Sequence, residues 1–169
     1  MMNNFFSRAP LHAHADPAQR VLGVAELAPD SGELARLVTA DPAPEVRAAA
    51  ARQCTDAAAL AAAWQIEPDA AVRAALASAL GNALDAVRDA DGRRNVIVAI
   101  TDENLLVELA LGAEHAETRK AAAARVQTPA ALHKLADVAK SRDRGVARFA
   151  QQQLDAITKR QEQSAEADA

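Results

Sequence analysis

Asp41-Pro42-Ala43-Pro44-Glu45-Val46-Arg47-Ala48-Ala49-Ala50 returns, 26 residues later, as Glu67-Pro68-Asp69-Ala70-Ala71-Val72-Arg73-Ala74-Ala75-Leu76. The common phrase is an acid, a proline, three variable residues, Val-Arg, and then small apolar residues. A phrase that recurs at a fixed interval marks one small unit copied along a chain, and units of this length are stacked helix pairs. Working outward, Arg20, Arg47, Arg73, Arg93 and Arg119 hold one equivalent position, spaced by 27, 26, 20 and 26 residues. A sixth copy is expected at Ala147, where Val146 keeps the valine position and the arginine is lost.

The residues between the copies read as helices and caps. Thr55, Thr101 and Gln127 fall eight residues past an arginine, and Leu60, Leu106 and Leu132 five residues beyond those. Thr55-Asp56, Thr101-Asp102-Glu103 and Ser31-Gly32-Glu33 place hydroxyls and carboxylates where a helix start leaves N–H groups free. Pro29, Pro42, Pro68 and Pro129 sit at boundaries, where a proline costs little. The pattern predicts helices over 16–28, 31–40, 43–53, 56–65, 69–80, 82–90, 93–100, 102–112, 115–126, 129–140 and 143–160. The stretch 81–92 leaves two readings open, a short helix at 82–90 or a helix from 69 continuing through Gly81 to Arg88. Asp89-Ala90-Asp91-Gly92 reads as a tight turn.

Within 69–80, Val72, Ala75, Leu76, Ala79 and Leu80 share one face at helical spacing. Matching sets begin at Val46, Thr118 and Val146. One pair cannot bury such a face, so stacked neighbours must complete the core. Composition agrees with helices. The chain has 169 residues, 50% of them hydrophobic, and its aromatic residues are Phe5, Phe6, Phe149 and Trp64. Alanine and leucine, the best helix formers, fill the gap, and the β-branched and aromatic residues that sheets prefer are scarce.

Net charge is −4, which gives no whole-chain nucleic-acid signature. Residues 1–92 carry 7 basic and 12 acidic side chains, whereas 114–169 carry 10 and 8. Cys54 is the single cysteine, so no intrachain disulfide forms and a reducing compartment fits. No apolar run is long enough for a membrane span, and the first ten residues lack the apolar core of a signal peptide. A cytoplasmic, soluble protein of bacterial type is expected. Its expected plan is a loose arm at 1–11 with Phe5 and Phe6 against the first helix, repeats at 12–160, and a frayed polar tail at 161–169.

Asp-Pro-x-x-x-Val-Arg-x-x-Ala resembles the HEAT repeat, in the short form of the phycobilin-lyase HEAT-like proteins. The resemblance covers 16–157, is sharpest at 41–50 and 67–76, and is degraded at 87–100 and 142–150. The last third, from Gln127-Thr128-Pro129-Ala130-Ala131-Leu132 through Val146-Ala147-Arg148-Phe149-Ala150, also looks like the HEAT-like region heading a bacterial family of unknown function. There the last repeat leads into a coiled coil. The present chain stops where that coiled coil would begin, so a short relative and a fragment are both open. The resemblance implies an all-α fold, a right-handed α-solenoid of about five helix pairs. It further implies that each arginine bonds an acid at a turn, often across to the adjacent repeat, with Asp41 and Arg47, and Glu67 or Asp69 and Arg73, fitting the pattern, and with anion capture as the alternative use. The helices at 43–53, 69–80, 93–100, 115–126 and 143–154 would line the concave side.

A second column, two residues past the valine, reads Ala48, Ala74, Arg94, Lys120 and Arg148. On a concave surface it would be neutral early and basic late. Arg52, Arg94, Lys120, Arg148 and Gln152 are therefore the candidate binding residues, with Lys140, Arg142 and Arg144 nearby. Interspersed Asp137, Asp143 and Asp155 make an ordinary solvated face the plainer reading. Ile97 and Val98 are expected to be buried by the 81–92 region, and Trp64 to be core packing.

His12, His14, His115 and His133 do not form a metal-ligand spacing with one another, and no metal or cofactor is expected. No phosphate-binding glycine loop, Gly-x-Ser-x-Gly elbow or zinc-protease helix occurs. Cys54 ends a helix, where a thiolate gains nothing. The expected function is a non-catalytic scaffold whose concave surface holds a protein segment, acidic in character. Nucleic-acid binding through the late basic repeats, and a HEAT-fold lyase or glycosylase, are the alternatives.

Overall fold

The computed structural model describes residues 10–167, so the expected packing of Phe5 and Phe6 lies outside the described residues. After a 3-10 turn at Leu11–Ala13 come α1 (Pro17–Val24), α2 (Gly32–Ala40), α3 (Pro44–Gln53), α4 (Ala57–Ile66) and α5 (Ala70–Ala86). They are followed by α6 (Ala90–Ala99), α7 (Glu103–Gly112), α8 (Ala116–Ala123), α9 (Pro129–Ala139) and α10 (Arg144–Ala167). The protein is all-helical, with no strand among the described residues.

The starts are set by local chemistry. Side chains of Asp16, Ser31, Asp56, Asp89, Asp102 and Thr128 each accept a backbone N–H in the first turn of the helix that follows. Asp69 does the same for Ala71 and Val72, and Asp143 for Gly145 and Val146. Each bond satisfies a donor that the helix itself leaves free, worth about 1 kcal/mol. Proline occupies the first turn of α1, α3 and α9, where its missing N–H is no loss.

Of the two readings open for 81–92 the structure takes the second, since the helix beginning at 70 runs on through Gly81 and ends at Ala86. Leu76, Leu80 and Leu84 recur at one-turn spacing and are fully buried, which outweighs the roughly 1 kcal/mol that a helical glycine costs. Asp89-Ala90-Asp91-Gly92 is not a tight turn, because Asp89 accepts from the N–H groups of Asp91 and Gly92 and opens α6. A Cβ at Gly92 would stand 3.0 Å from Asp89 Oδ2, so the glycine gives this cap its room. The last helix, expected over 143–160, extends to Ala167, with every side chain from 158 to 167 exposed.

The chain divides into two compact units on either side of Ala79–Leu80. In the first, α1 packs on α3, and α2 on α3 and α4. Leu34, Leu37, Val38, Val46, Ala50 and Leu60 are its buried centre. In the second, α6, α8 and α10 form one row, α7 packs on α9, and α7–α8 and α9–α10 join the rows. Leu105, Leu106, Leu109, Leu132, Leu135 and Val146 fill the space between. Burial of each leucine contributes about 2–3 kcal/mol, so this seam of aliphatic side chains dominates the stability of each unit.

The recurrent arginine has one fixed task. Arg20, Arg47, Arg73, Arg93 and Arg119 each donate to the backbone carbonyl six residues before them, those of His14, Asp41, Glu67, Val87 and Ala113. The carboxylate partner lies across in the next repeat, not in the named pairs Asp41 with Arg47 and Glu67 or Asp69 with Arg73, where Arg47 and Arg73 meet only the backbone carbonyls of Asp41 and Glu67. Arg20 holds Asp41 through two bonds of 2.8 and 2.9 Å, and Arg47 holds Glu67 through two of 2.7 and 2.9 Å. Arg119 reaches Asp143 at 2.7 Å. The reason is geometric: the arginine's near edge is already taken by its own turn, so its remaining donors face onward. Arg73 lies instead over the buried Trp64 ring, 5.3 Å from its centre.

Candidate functional site

The arginine ladder is occupied by the fold. Arg47 uses Nε, Nη1 and Nη2 on Glu67, Asp41 and Pro42. Hydrogen bonding to Arg47 holds the Glu67 carboxyl below its ordinary range against the opposing effect of burial. Burial pushes the Asp41 carboxyl up, but Arg20 and the Ala43 N–H outweigh it and the net direction is down. Arg119, helped by the Val146 and Gly145 N–H groups, lowers Asp143 in the same way. These guanidinium groups are therefore structural clasps, and the surface that remains for a ligand lies elsewhere.

Arg94, Lys120 and Arg148 stand on α6, α8 and α10, three consecutive helices of one packed row, and all three are exposed. Arg94 pairs with Asp91 at 3.3 Å and Lys120 with Glu117 at 3.1 Å, each on its own helix. Such exposed pairs contribute well under 1 kcal/mol and open readily. Among the described residues Arg148 has no carboxylate within ion-pair distance, nor does Arg144 one turn before it. Gln152 follows Arg148 by one turn and is exposed. Arg52 belongs to the other unit, in the last turn of α3, where it is exposed.

Two hollows recur at matching places. One, of about 470 Å³, lies among α1, α3 and the start of α5, with Ala48, Ala49, Arg52, Asp69 and Val72 in its lining. The other, of about 370 Å³, lies between α8 and α10 and is lined by Lys120, Ala123, Ala124, Gly145, Val146 and Phe149. Val72 and Val146 hold the valine position of their repeats, and Arg52 and Ala124 hold a common position too. The repeat thus builds the same depression twice, and the side chains around it decide its character. Around the first stand Glu45, Asp69 and Arg52; the second is apolar inside, with Lys120 at its edge.

Two carboxylates act where sequence reading assigned nothing or something else. Asp85 accepts from the Glu114 and His115 N–H groups and from the Thr118 hydroxyl, so it caps α8 from another helix. His115, the residue before α8, makes no side-chain cap of its own. Burial pushes the Asp85 carboxyl up, and these three bonds bring it down overall. Glu103 accepts from the Gln127 and Thr128 N–H groups and the Thr128 hydroxyl. It had been assigned to the start of its own helix, where Asp102 alone does that work. A helix start without a local cap was the one available signal.

Ile97 is buried as expected, but Val98 is 53% exposed, because the helix turns it away from the face that Ile97 and Ile100 present inward. Trp64 is core, 4% exposed, with its Nε1 hydrogen unpaired. Burial pushes the Cys54 thiol up. Among the described residues no three His, Cys, Asp or Glu side chains stand together in a metal-holding arrangement. No helix among them is long and apolar enough to cross a membrane. Comparison with known protein families, curated proteins and solved structures finds no match for this chain.

Proposed function

We propose that this chain is a binding scaffold of HEAT-like repeats without catalytic activity of its own. In this reading about five helix pairs continue as a right-handed α-solenoid, and α3, α5, α6, α8 and α10 form its concave side. That side holds a segment of another protein, through Arg94, Lys120, Arg148 and Gln152, with Arg52 toward the amino end. The observation that supports it is the exposed succession of Arg94, Lys120 and Arg148 on adjacent helices of one row. The ladder arginines are engaged within the fold, and these three are not needed for it. Polar side chains on rigid neighbouring helices are what a repeat protein offers a partner.

The test is affinity capture with immobilised wild-type protein and with the Arg94→Glu, Lys120→Glu, Arg148→Glu triple variant. A protein retained by the first and lost from the second supports the reading. Equal retention removes these residues from the contact surface. A duplex oligonucleotide that binds with steep salt dependence, and loses binding in the triple variant, moves the assignment to nucleic acid.

A further inference from the structure

The hollow between α8 and α10 differs from its counterpart in the first unit in a way that selects a ligand. Besides Lys120 it is lined by Ala123, Ala124, Gly145, Val146 and Phe149, and the small residues Ala123, Ala124 and Gly145 leave it open. Phe149 is only half-buried and lines the hollow. At about 370 Å³ the depression accommodates one bulky aliphatic or aromatic side chain.

Charge around it is one-sided. Gly145 and Phe149 are one turn apart on α10, and Arg144 and Arg148 precede each by one residue, so both cations flank the same stretch of helix. Lys120 stands at the opposite edge. The acids nearest in sequence are already engaged: Glu117 with Lys120, and Asp143 with Arg119 and the first N–H groups of α10. Lys120 therefore lines the apolar hollow, and Arg144 and Arg148 stand exposed on the adjoining stretch of α10, with no carboxylate within ion-pair distance of either among the described residues. A half-covered phenylalanine beside exposed arginines that the fold does not use is the combination of side chains that anchors binding partners.

We infer that the α8–α10 hollow is an anchor site for an acidic peptide segment: one large apolar side chain enters beside Phe149, and flanking carboxylates meet Lys120, Arg144 and Arg148. This deepens the scaffold reading and rests on it. The apolar anchor supplies residence time, and the cations supply orientation and encounter rate. The first-unit hollow, with Glu45 and Asp69 beside Arg52, lacks that selectivity.

The test uses a phage-displayed library of random 16-residue peptides selected on the full chain. Survivors are measured by fluorescence anisotropy against wild type, Ala124→Trp and Arg148→Glu. Ala124 and Arg148 are both exposed, so neither change disturbs the core, and far-UV circular dichroism checks this. Expected survivors carry a bulky apolar residue with two or more nearby Asp or Glu. Filling the hollow with tryptophan should weaken them at least about tenfold, and reversing Arg148 several-fold. Survivors that bind Ala124→Trp as well as wild type, or that are basic, overturn the anchor site while leaving a binding scaffold standing. A library that yields no binder at all overturns both. A 20-nucleotide single strand that binds wild type tightly and is lost in Arg148→Glu overturns the peptide assignment in favour of nucleic acid.

Discussion

Arg47 and Glu67 form a two-point clasp, Nε to Oε2 at 2.7 Å and Nη2 to Oε1 at 2.9 Å, with the Glu67 residue only 4% exposed. A buried carboxylate that loses its partner is far more costly than the pair is beneficial. Arg47→Met should therefore destabilise the protein by about 3–5 kcal/mol in urea unfolding. The double change Arg47→Met, Glu67→Met should recover much of that loss. A single variant within about 1 kcal/mol of wild type would show the clasp to be ornamental.

Stability should fall in acid. Asp41, Glu67 and Asp143 all bind protons more weakly folded than unfolded. Their contribution is complete above the ordinary carboxylate pKa of about 4 and is lost as pH drops through the lowered folded values. Trp64, the single tryptophan and buried, gives the fluorescence readout. The urea midpoint should be level between pH 5 and 7 and decline steadily below about 4. A midpoint that rises on acidification would reverse the assigned direction.

Gly23 faces the backbone of the 3-10 turn, and a Cβ there would run into His12 and Leu11. Gly23→Ala should either expel that turn or cost about 2–3 kcal/mol. Hydrogen exchange at Ala13 and His14, whose N–H groups close the turn, distinguishes the two outcomes. Unchanged protection together with unchanged stability would mean that the close approach is relaxed in solution.

Asp85→Ala removes the only side-chain cap on the start of α8, and about 1–3 kcal/mol with it, since three donors lose their acceptor. The amides of Glu114 and His115 should exchange faster, while those of Gln127 and Thr128, capped by Glu103, should not. Uniform acceleration across both sites would show global unfolding rather than a lost cap.

Much of this was readable from the chain. The period places every arginine of the ladder, and all five bond the carbonyl six residues back, because one local geometry repeats. Asp56, Asp102 and Ser31 are caps for local reasons visible in the residues themselves. What was not legible depends on which helix lies beside which. Nothing near Asp85 announces that it serves Glu114 and His115, about thirty residues away. The onward direction of Arg20 and Arg47 likewise emerges only once the preceding turn has taken half of each guanidinium. Of the candidate binding residues, Arg94, Lys120 and Arg148 fall on one row of helices, because equal spacing from the valine becomes equal placement on equivalent helices. The hollow beside Phe149 was invisible, since small residues at Ala124 and Gly145 mean nothing until two helices face each other.

The onward clasp carries a consequence for how such a chain can lengthen. Arg20 and Arg47 each use a carbonyl from their own turn and an acid from the successor, and the copies at 41–50 and 67–76 supply that acid. Joining Asp41 directly to Pro68 would remove one 26-residue cassette and still present Arg20 with Asp41, and Arg73 with the Asp41 carbonyl. The Arg20 connector is thus blind to the number of such copies in line, although the Trp64 ring beneath Arg73 would leave with the cassette.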